Sequence, residues 1–148
     1  DSPANLNTTV GTHVPTTAAF INTLIQNIPG GLMGPNGVLY YDDLIGVSNT
    51  VNTKSSVVSI GGTTIMSNNA GGVLSNTNTV RRFARFYNGG LENVNYSQAN
   101  GYFTVIAAPV ARSTINTAVD QQLTTALRID NAIDFIIIYN STCKVESL

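Results

Sequence analysis

The chain has 148 residues and a mass of 15.6 kDa, the length of one domain. Charged residues make up 10% and the net charge is −1, whereas an ordinary soluble domain carries about 25% charge. A mean hydropathy of +0.11, a single cysteine and no apolar run of membrane-spanning length exclude a charged disordered tail, a disulfide scaffold and a transmembrane helix, and the charge balance argues against direct nucleic-acid binding.

Residues 1–15 are polar, contain Pro3 and Pro15 and show no periodicity. They are expected to form an extended N-terminal arm ahead of a single globular domain over 16–142, with a C-terminal tail over 143–148. In 16–28, Phe20, Ile21, Leu24, Ile25 and Ile28 fall on one face of a 3.6-residue period, which predicts an amphipathic helix stopped by Pro29-Gly30-Gly31. Its opposite face, Asn22, Thr23, Gln26 and Asn27, is uncharged. A Gly/Pro loop over 29–37 leads to a short strand over Val38–Tyr41. Gly61-Gly62 between two β-rich runs predicts a hairpin over 56–67, because a two-residue type I′ turn needs positive φ at both positions.

Residues 79–87 carry two patterns. Helical spacing groups Val80, Phe83, Ala84 and Tyr87 and leaves Arg81, Arg82 and Arg85 opposite. Strict alternation puts Arg82 beside Phe86 and separates nothing, so a second helix is expected. Tyr102–Ala107 reads as a strand. Ile115, Ala118, Val119, Leu123, Ala126 and Leu127 form an apolar stripe that predicts a third helix, ended by Asp130-Asn131. The β-branched run Ala132–Tyr139 reads as a final strand. The sum is an α+β domain: a mixed sheet with an antiparallel hairpin and two to three amphipathic helices.

Chemistry-bearing residues are few. His13 and Cys143, the only histidine and cysteine, sit in the terminal segments and are not expected to form a catalytic pair. Two such residues cannot close a zinc site. Asp42-Asp43 and Asp130/Asn131/Asp134 are the only clustered oxygens, and neither follows a calcium-loop pattern. No catalytic, cofactor or metal residue is therefore expected. The one charge concentration is Arg81/Arg82/Arg85, three arginines in five positions, which can meet a partner's anionic groups or form a solvated face.

Low charge and uncharged helix faces suit a surface covered by other subunits, because charges are depleted at interface cores. The first reading is thus a non-enzymatic subunit of a large homo-oligomeric assembly: a virion protein of capsid, tail or decoration type, partnered by copies of itself and other assembly subunits. The alternatives are a subunit of an extracellular filament or surface layer, and a secreted ligand-binding module using Tyr40, Tyr41, Phe86, Tyr87, Tyr102 and Phe103. All place the chain in a virion or outside the cell.

Overall fold

A computed structural model describes residues 4–5, 19–70, 79–89, 93–99, 104–105 and 110–147. The regular secondary structure of the described residues is all strand: β1 (Ala4–Asn5), β2 (Ile21–Ile28), β3 (Val38–Val47), β4 (Lys54–Ile60), β5 (Thr63–Ala70), β6 (Thr79–Asn88), β7 (Asn93–Ala99), β8 (Thr104–Val105), β9 (Val110–Ser113), β10 (Gln121–Ile129) and β11 (Ile136–Glu146). They form a six-stranded sheet in the order β1-β11-β3-β6-β7-β9 and a five-stranded sheet in the order β2-β10-β4-β5-β8. Every pairing is antiparallel. The sheets pack face to face. Leu39, Tyr41, Phe86 and Val145 from one meet Val58, Ile60, Met66 and Leu123 from the other in a shared apolar cluster. The fold is an all-β sandwich, and the expected α+β class with its helices is overturned.

The hairpin forms where Gly61-Gly62 places it, with φ of 55° and 81° at the two turn residues. The three expected helices are strands, each for an identifiable reason. In β2, Leu24 pairs with Thr125 while Asn22 pairs with Ala126, so Thr23 is an extra, bulged residue. The bulge resets the two-residue alternation. Ile21 and Leu24 therefore face the same side although they are three apart, which imitates a helical step. In β6, inward residues are Arg82, Ala84 and Phe86, and outward ones are Arg81, Phe83, Arg85 and Tyr87. Strict alternation holds, with an arginine in the core position. In β10, the inward set Leu123, Thr125, Leu127 and Ile129 includes a fully buried threonine, while Ala118 and Val119 of the supposed stripe are exposed loop residues.

Two further bulges follow the same logic. Ile65 is the extra residue of β5, so Ile65 and Met66 are both buried in succession. Tyr139 is the extra residue of β11, so the inward set passes from Ile136 and Ile138 to Ser141, Cys143 and Val145. Strand β11 thus runs past residue 142 and through most of the segment read as a tail. The described part of the arm, Ala4–Asn5, pairs with Val145 and Lys144 of the same chain. The rest of the arm lies outside the described residues, as do Tyr102 and Phe103 of the strand expected at 102–107.

A polar layer crosses the middle of the sandwich. Ser141, Asp43 and Arg82 lie side by side across β11, β3 and β6, and Ser56 and Asn68 side by side across β4 and β5. All are buried. Arg82 Nε donates to Asp43 Oδ1 at 2.9 Å, its Nη2 donates to Asp43 Oδ2, and its Nη1 donates to Asn68 Oδ1 of the opposite sheet at 3.1 Å. Tyr41 Oη donates to Asp43 Oδ2 at 2.8 Å and accepts from Thr125 Oγ1, again across the sheets, at 2.8 Å. Burial opposes the arginine's charge, but Asp43 outweighs it and raises the Arg82 pKa, while burial pushes the Tyr41 phenol well above its usual range. On one side of this layer lies the larger apolar cluster; on the other lie Ile45, Val47, Leu127, Ile129, Ile136 and Ile138.

Beyond the second cluster, the loop after β10 is tied to the loop after β3. Asp134 Oδ1 accepts from Ser48 Oγ at 2.8 Å and Thr50 Oγ1 at 2.6 Å, with Lys54 Nζ 4.0 Å away. Burial alone would raise the Asp134 pKa. Hydrogen bonds from Thr50, Ser48 and Asn52 and the Lys54 charge more than offset it, so the carboxyl sits below its usual range.

Two predictions follow from these buried charges. Truncating one partner, as in Asp43→Ala or Arg82→Leu, strands the other charge and costs about 3–5 kcal/mol in urea unfolding. The double variant Asp43→Leu/Arg82→Leu loses less than the sum of the single losses. Asp134 has a depressed folded pKa, so its stabilisation is complete above the unfolded carboxyl value of about 3.9 and is lost as pH falls through the folded value. The gap in urea midpoint between the wild type and Asp134→Asn is expected to be constant near neutrality and to close below about pH 4.

Candidate functional site on the outer face of the six-stranded sheet

Alternation along β3, β6 and β11 decides what this face shows. Strand β3 presents Tyr40, Asp42 and Leu44; β6 presents Arg81, Phe83, Arg85 and Tyr87; β11 presents Asn140, Thr142, Lys144 and Glu146. Register sets them in rows: Lys144–Tyr40–Arg85, Thr142–Asp42–Phe83 and Asn140–Leu44–Arg81. These three strands therefore bring five charged side chains to one sheet face, in a chain with only 10% charge.

The central contacts are fixed. Arg85 meets Asp42 through two parallel contacts, Nη1 to Oδ2 and Nη2 to Oδ1, each 3.3 Å. The same guanidinium donates to the Tyr41 carbonyl at 3.2 Å and the Ala84 carbonyl at 3.1 Å. It lies 5.1 Å from the Tyr40 ring centre and 4.8 Å from that of Phe83, within cation–π range. Tyr40 Oη donates to Glu146 Oε2 at 3.2 Å. Burial and the Glu146 carboxylate raise the Tyr40 phenol above its usual range, so it stays a neutral hydroxyl.

Two shallow cavities adjoin along β3. One, of about 410 Å³, is lined by residues of β3, β6 and β11, among them Asp42, Leu44, Arg81, Asn140, Thr142 and Lys144. The other, of about 290 Å³, is lined by Tyr40, Asp42, Arg85, Lys144 and Glu146. Asp42 and Lys144 belong to both, so the two form one groove with acceptors, donors and an aromatic ring along its length. Tyr87, 45% exposed, stands on the same face.

The arginine cluster read from the sequence is divided. Arg81 and Arg85 are on this face; Arg82 points into the sandwich and holds Asp43. The two adjacent aspartates likewise part, Asp42 to the groove and Asp43 to the core. Asp130, Asn131 and Asp134 do not converge on an ion: Asp130 pairs with Arg128 at 3.1 Å, Asn131 Oδ1 accepts from the Ile133 amide at 3.1 Å, and Asp134 holds Ser48 and Thr50. Among the described residues, no three of His, Cys, Asp and Glu could hold a metal ion together. Cys143 faces the core, where burial pushes its thiol up to about 12; His13 lies outside the described residues. Asn140, Thr142, Lys144 and Glu146 were not among the residues singled out from the sequence. The signal was present in Thr142-Cys143-Lys144-Val145-Glu146, a polar/apolar alternation of two-residue period.

The split of the arginines has a measurable consequence. Arg81→Gln changes the unfolding free energy by less than about 1 kcal/mol, as expected of an exposed side chain. Arg82→Gln, in the same urea titration, falls with the buried-pair variants.

No family model matches the chain, and no curated protein matches it. Among solved structures, it is similar to lectin II from Ulex europaeus at 7% identity and a TM-score of 0.47, covering 100% of this chain and 99% of that one. It is similar to a carbohydrate-binding module, CBM36, in complex with calcium and xylotriose at 14% identity and a TM-score of 0.39, covering 97% and 99%. It is also similar to the CBM2 module of the evolved Dit of Lactobacillus casei BL23 phage J-1 at 12% identity and a TM-score of 0.37, covering 92% and 75%.

Proposed function

We propose that this chain is a non-catalytic binding module that takes a saccharide along the outer groove of its six-stranded sheet, in an extracellular setting. Of the readings raised by composition, this is the secreted ligand-binding module. The virion subunit set first by composition has no comparable support from the described residues, and the low charge that suggested it is also what leaves one sheet face standing out.

The observation that carries the proposal is the groove shared by Asp42 and Lys144. A saccharide offers many hydroxyls, each both donor and acceptor, on a ring with apolar C–H faces. Its recognition needs fixed acceptors, fixed donors and an aromatic surface close together. Asp42 and Glu146 supply carboxylate acceptors, already oriented by Arg85 and Tyr40. Arg81, Lys144, Asn140 and Thr142 supply donors. Tyr40 supplies the ring at the other end of the groove. Because the ion pair and the cation–π contacts hold Asp42, Arg85 and Tyr40 before a ligand arrives, these side chains lose little freedom on binding.

The test is calorimetric titration with a panel of neutral and acidic oligosaccharides, with chromatography of the ligand after incubation. At least one is expected to bind and to be recovered unchanged. Tyr40→Ala and Asp42→Asn each weaken that binding roughly tenfold, the equivalent of about 1.4 kcal/mol, without loss of thermal stability. Absence of binding across the panel, or binding that both variants leave intact, overturns the proposal.

A further inference from the structure

A second concavity lies at one end of the sandwich, where the loop between β2 and β3 meets the loop between β9 and β10. Its volume is about 380 Å³; Gly31 and Pro35 line one side, and Ile115, Asn116, Thr117 and Ala118 the other. None of its lining residues is charged, in contrast to the outer groove.

The two loops are tied together by hydrogen bonds. The Gly31 amide donates to the Thr117 carbonyl at 2.8 Å, and the Gly30 amide to Asp120 Oδ1 at 2.8 Å. Asn88, at the end of β6, clamps both: its Nδ2 donates to the Gly34 carbonyl at 2.6 Å and to Thr117 Oγ1 at 2.8 Å. Asn93 supports the clamp, its Nδ2 donating to Asn88 Oδ1 at 3.0 Å while its Oδ1 accepts from the Ile115 amide at 2.6 Å. Polar groups ordered to this degree keep the cleft open without a ligand to shape it.

Gly31, among the residues lining the cleft, has a φ of +77°, a conformation L side chains rarely adopt. What remains for a ligand is specific. Thr117 Oγ1 accepts from Asn88 and so still has its own O–H to donate. Asn116 spends its Oδ1 on the Ala118 amide at 3.0 Å and keeps its Nδ2 donors. The Gly34 carbonyl has a second lone pair. Pro35, Ile115 and Ala118 provide apolar surface between these groups.

We infer that this cleft is a second binding site, for a neutral hydroxyl-bearing ligand of monosaccharide size. Donors, one acceptor and apolar surface around a charge-free space match a neutral sugar ring. A carboxylate or ammonium would enter without a counter-charge and lose hydration uncompensated. The site is independent of the outer groove in residues and in charge.

The test is an amide-resolved NMR titration of the full chain with neutral monosaccharides (galactose, glucose and mannose) and with glucuronate. A neutral sugar is expected to shift the Gly31, Gly34, Thr117 and Ala118 amides with a Kd on the order of 1 mM. Ala118→Phe fills the cleft from an exposed position, so the fold is kept. It is expected to abolish these shifts, and Thr117→Val to weaken them at least threefold. Tyr40→Ala, in the outer groove, is expected to leave them unchanged. No shift at the cleft, an undiminished response in Ala118→Phe, or a response to glucuronate alone overturns the inference. Shifts confined to the outer face and lost in Tyr40→Ala overturn it while upholding the outer-groove reading.

Discussion

The buried pair of Asp43 and Arg82 is the contact around which the sandwich is organised. Two unit charges at the centre of a protein are tolerated only when each is met by the other and by further hydrogen bonds. Here Asp43 receives Arg82 and Tyr41, and Arg82 also reaches Asn68 on the far sheet. The requirement is geometric as well as energetic. Asp43 and Arg82 are direct partners across β3 and β6, and a slip of one residue would turn Arg82 to solvent and leave Asp43 buried alone. Register in a sheet with one buried face is already set by its apolar residues; the pair adds a heavy penalty to every alternative. Its bonds to Asn68 and Thr125 extend that constraint to the relative placement of the two sheets.

The outer groove depends on this choice. Once Asp43 and Arg82 point inward, two-residue alternation sends Asp42, Arg81 and Arg85 outward, where Arg85 and Asp42 can meet. The same residues in the other phase would bury Arg81 and Arg85 and expose Phe86. Surface chemistry and core chemistry are thus two sides of one decision about β3 and β6. The remaining groove residues follow from the bulge at Tyr139, which shifts β11 so that Thr142, Lys144 and Glu146 face outward while Cys143 and Val145 are buried.

The two outer faces differ in kind. Beside the charged groove of the six-stranded sheet, the outer face of the five-stranded sheet shows Thr124, Ser59, Thr64, Ser67 and Asn69, with Ile25 and Val57, and Arg128 is its only charged side chain among the described residues. Four charged residues, Asp43, Lys54, Arg82 and Asp134, are buried, which removes still more charge from a surface that has little. The hydroxyl- and amide-rich composition is therefore spread over the faces and loops, while ionic chemistry is concentrated where Asp42 and Lys144 line one groove.

By itself the sequence determined the low charge, the Gly-Gly hairpin and the β-rich character of the segments around it. These features are local: composition acts residue by residue, and a two-residue turn is dictated by the φ values its own residues can adopt. It also held the alternation of Arg82 with Phe86 and of Thr142 through Glu146, but not the reason to prefer it. Period-two reading assumes that the inward face is apolar and the strand unbroken. Arg82 and Thr125 broke the first assumption, because their partners Asp43 and Tyr41 come from other strands. The bulges at Thr23, Ile65 and Tyr139 broke the second, because an extra residue is defined only against the strand it pairs with. Tertiary structure decided both, and with them the strand identity of β2, β6 and β10, the division of the three arginines and the assembly of the groove from β3, β6 and β11. An arginine is buried or exposed according to where its carboxylate lies, and that carboxylate is 39 residues away.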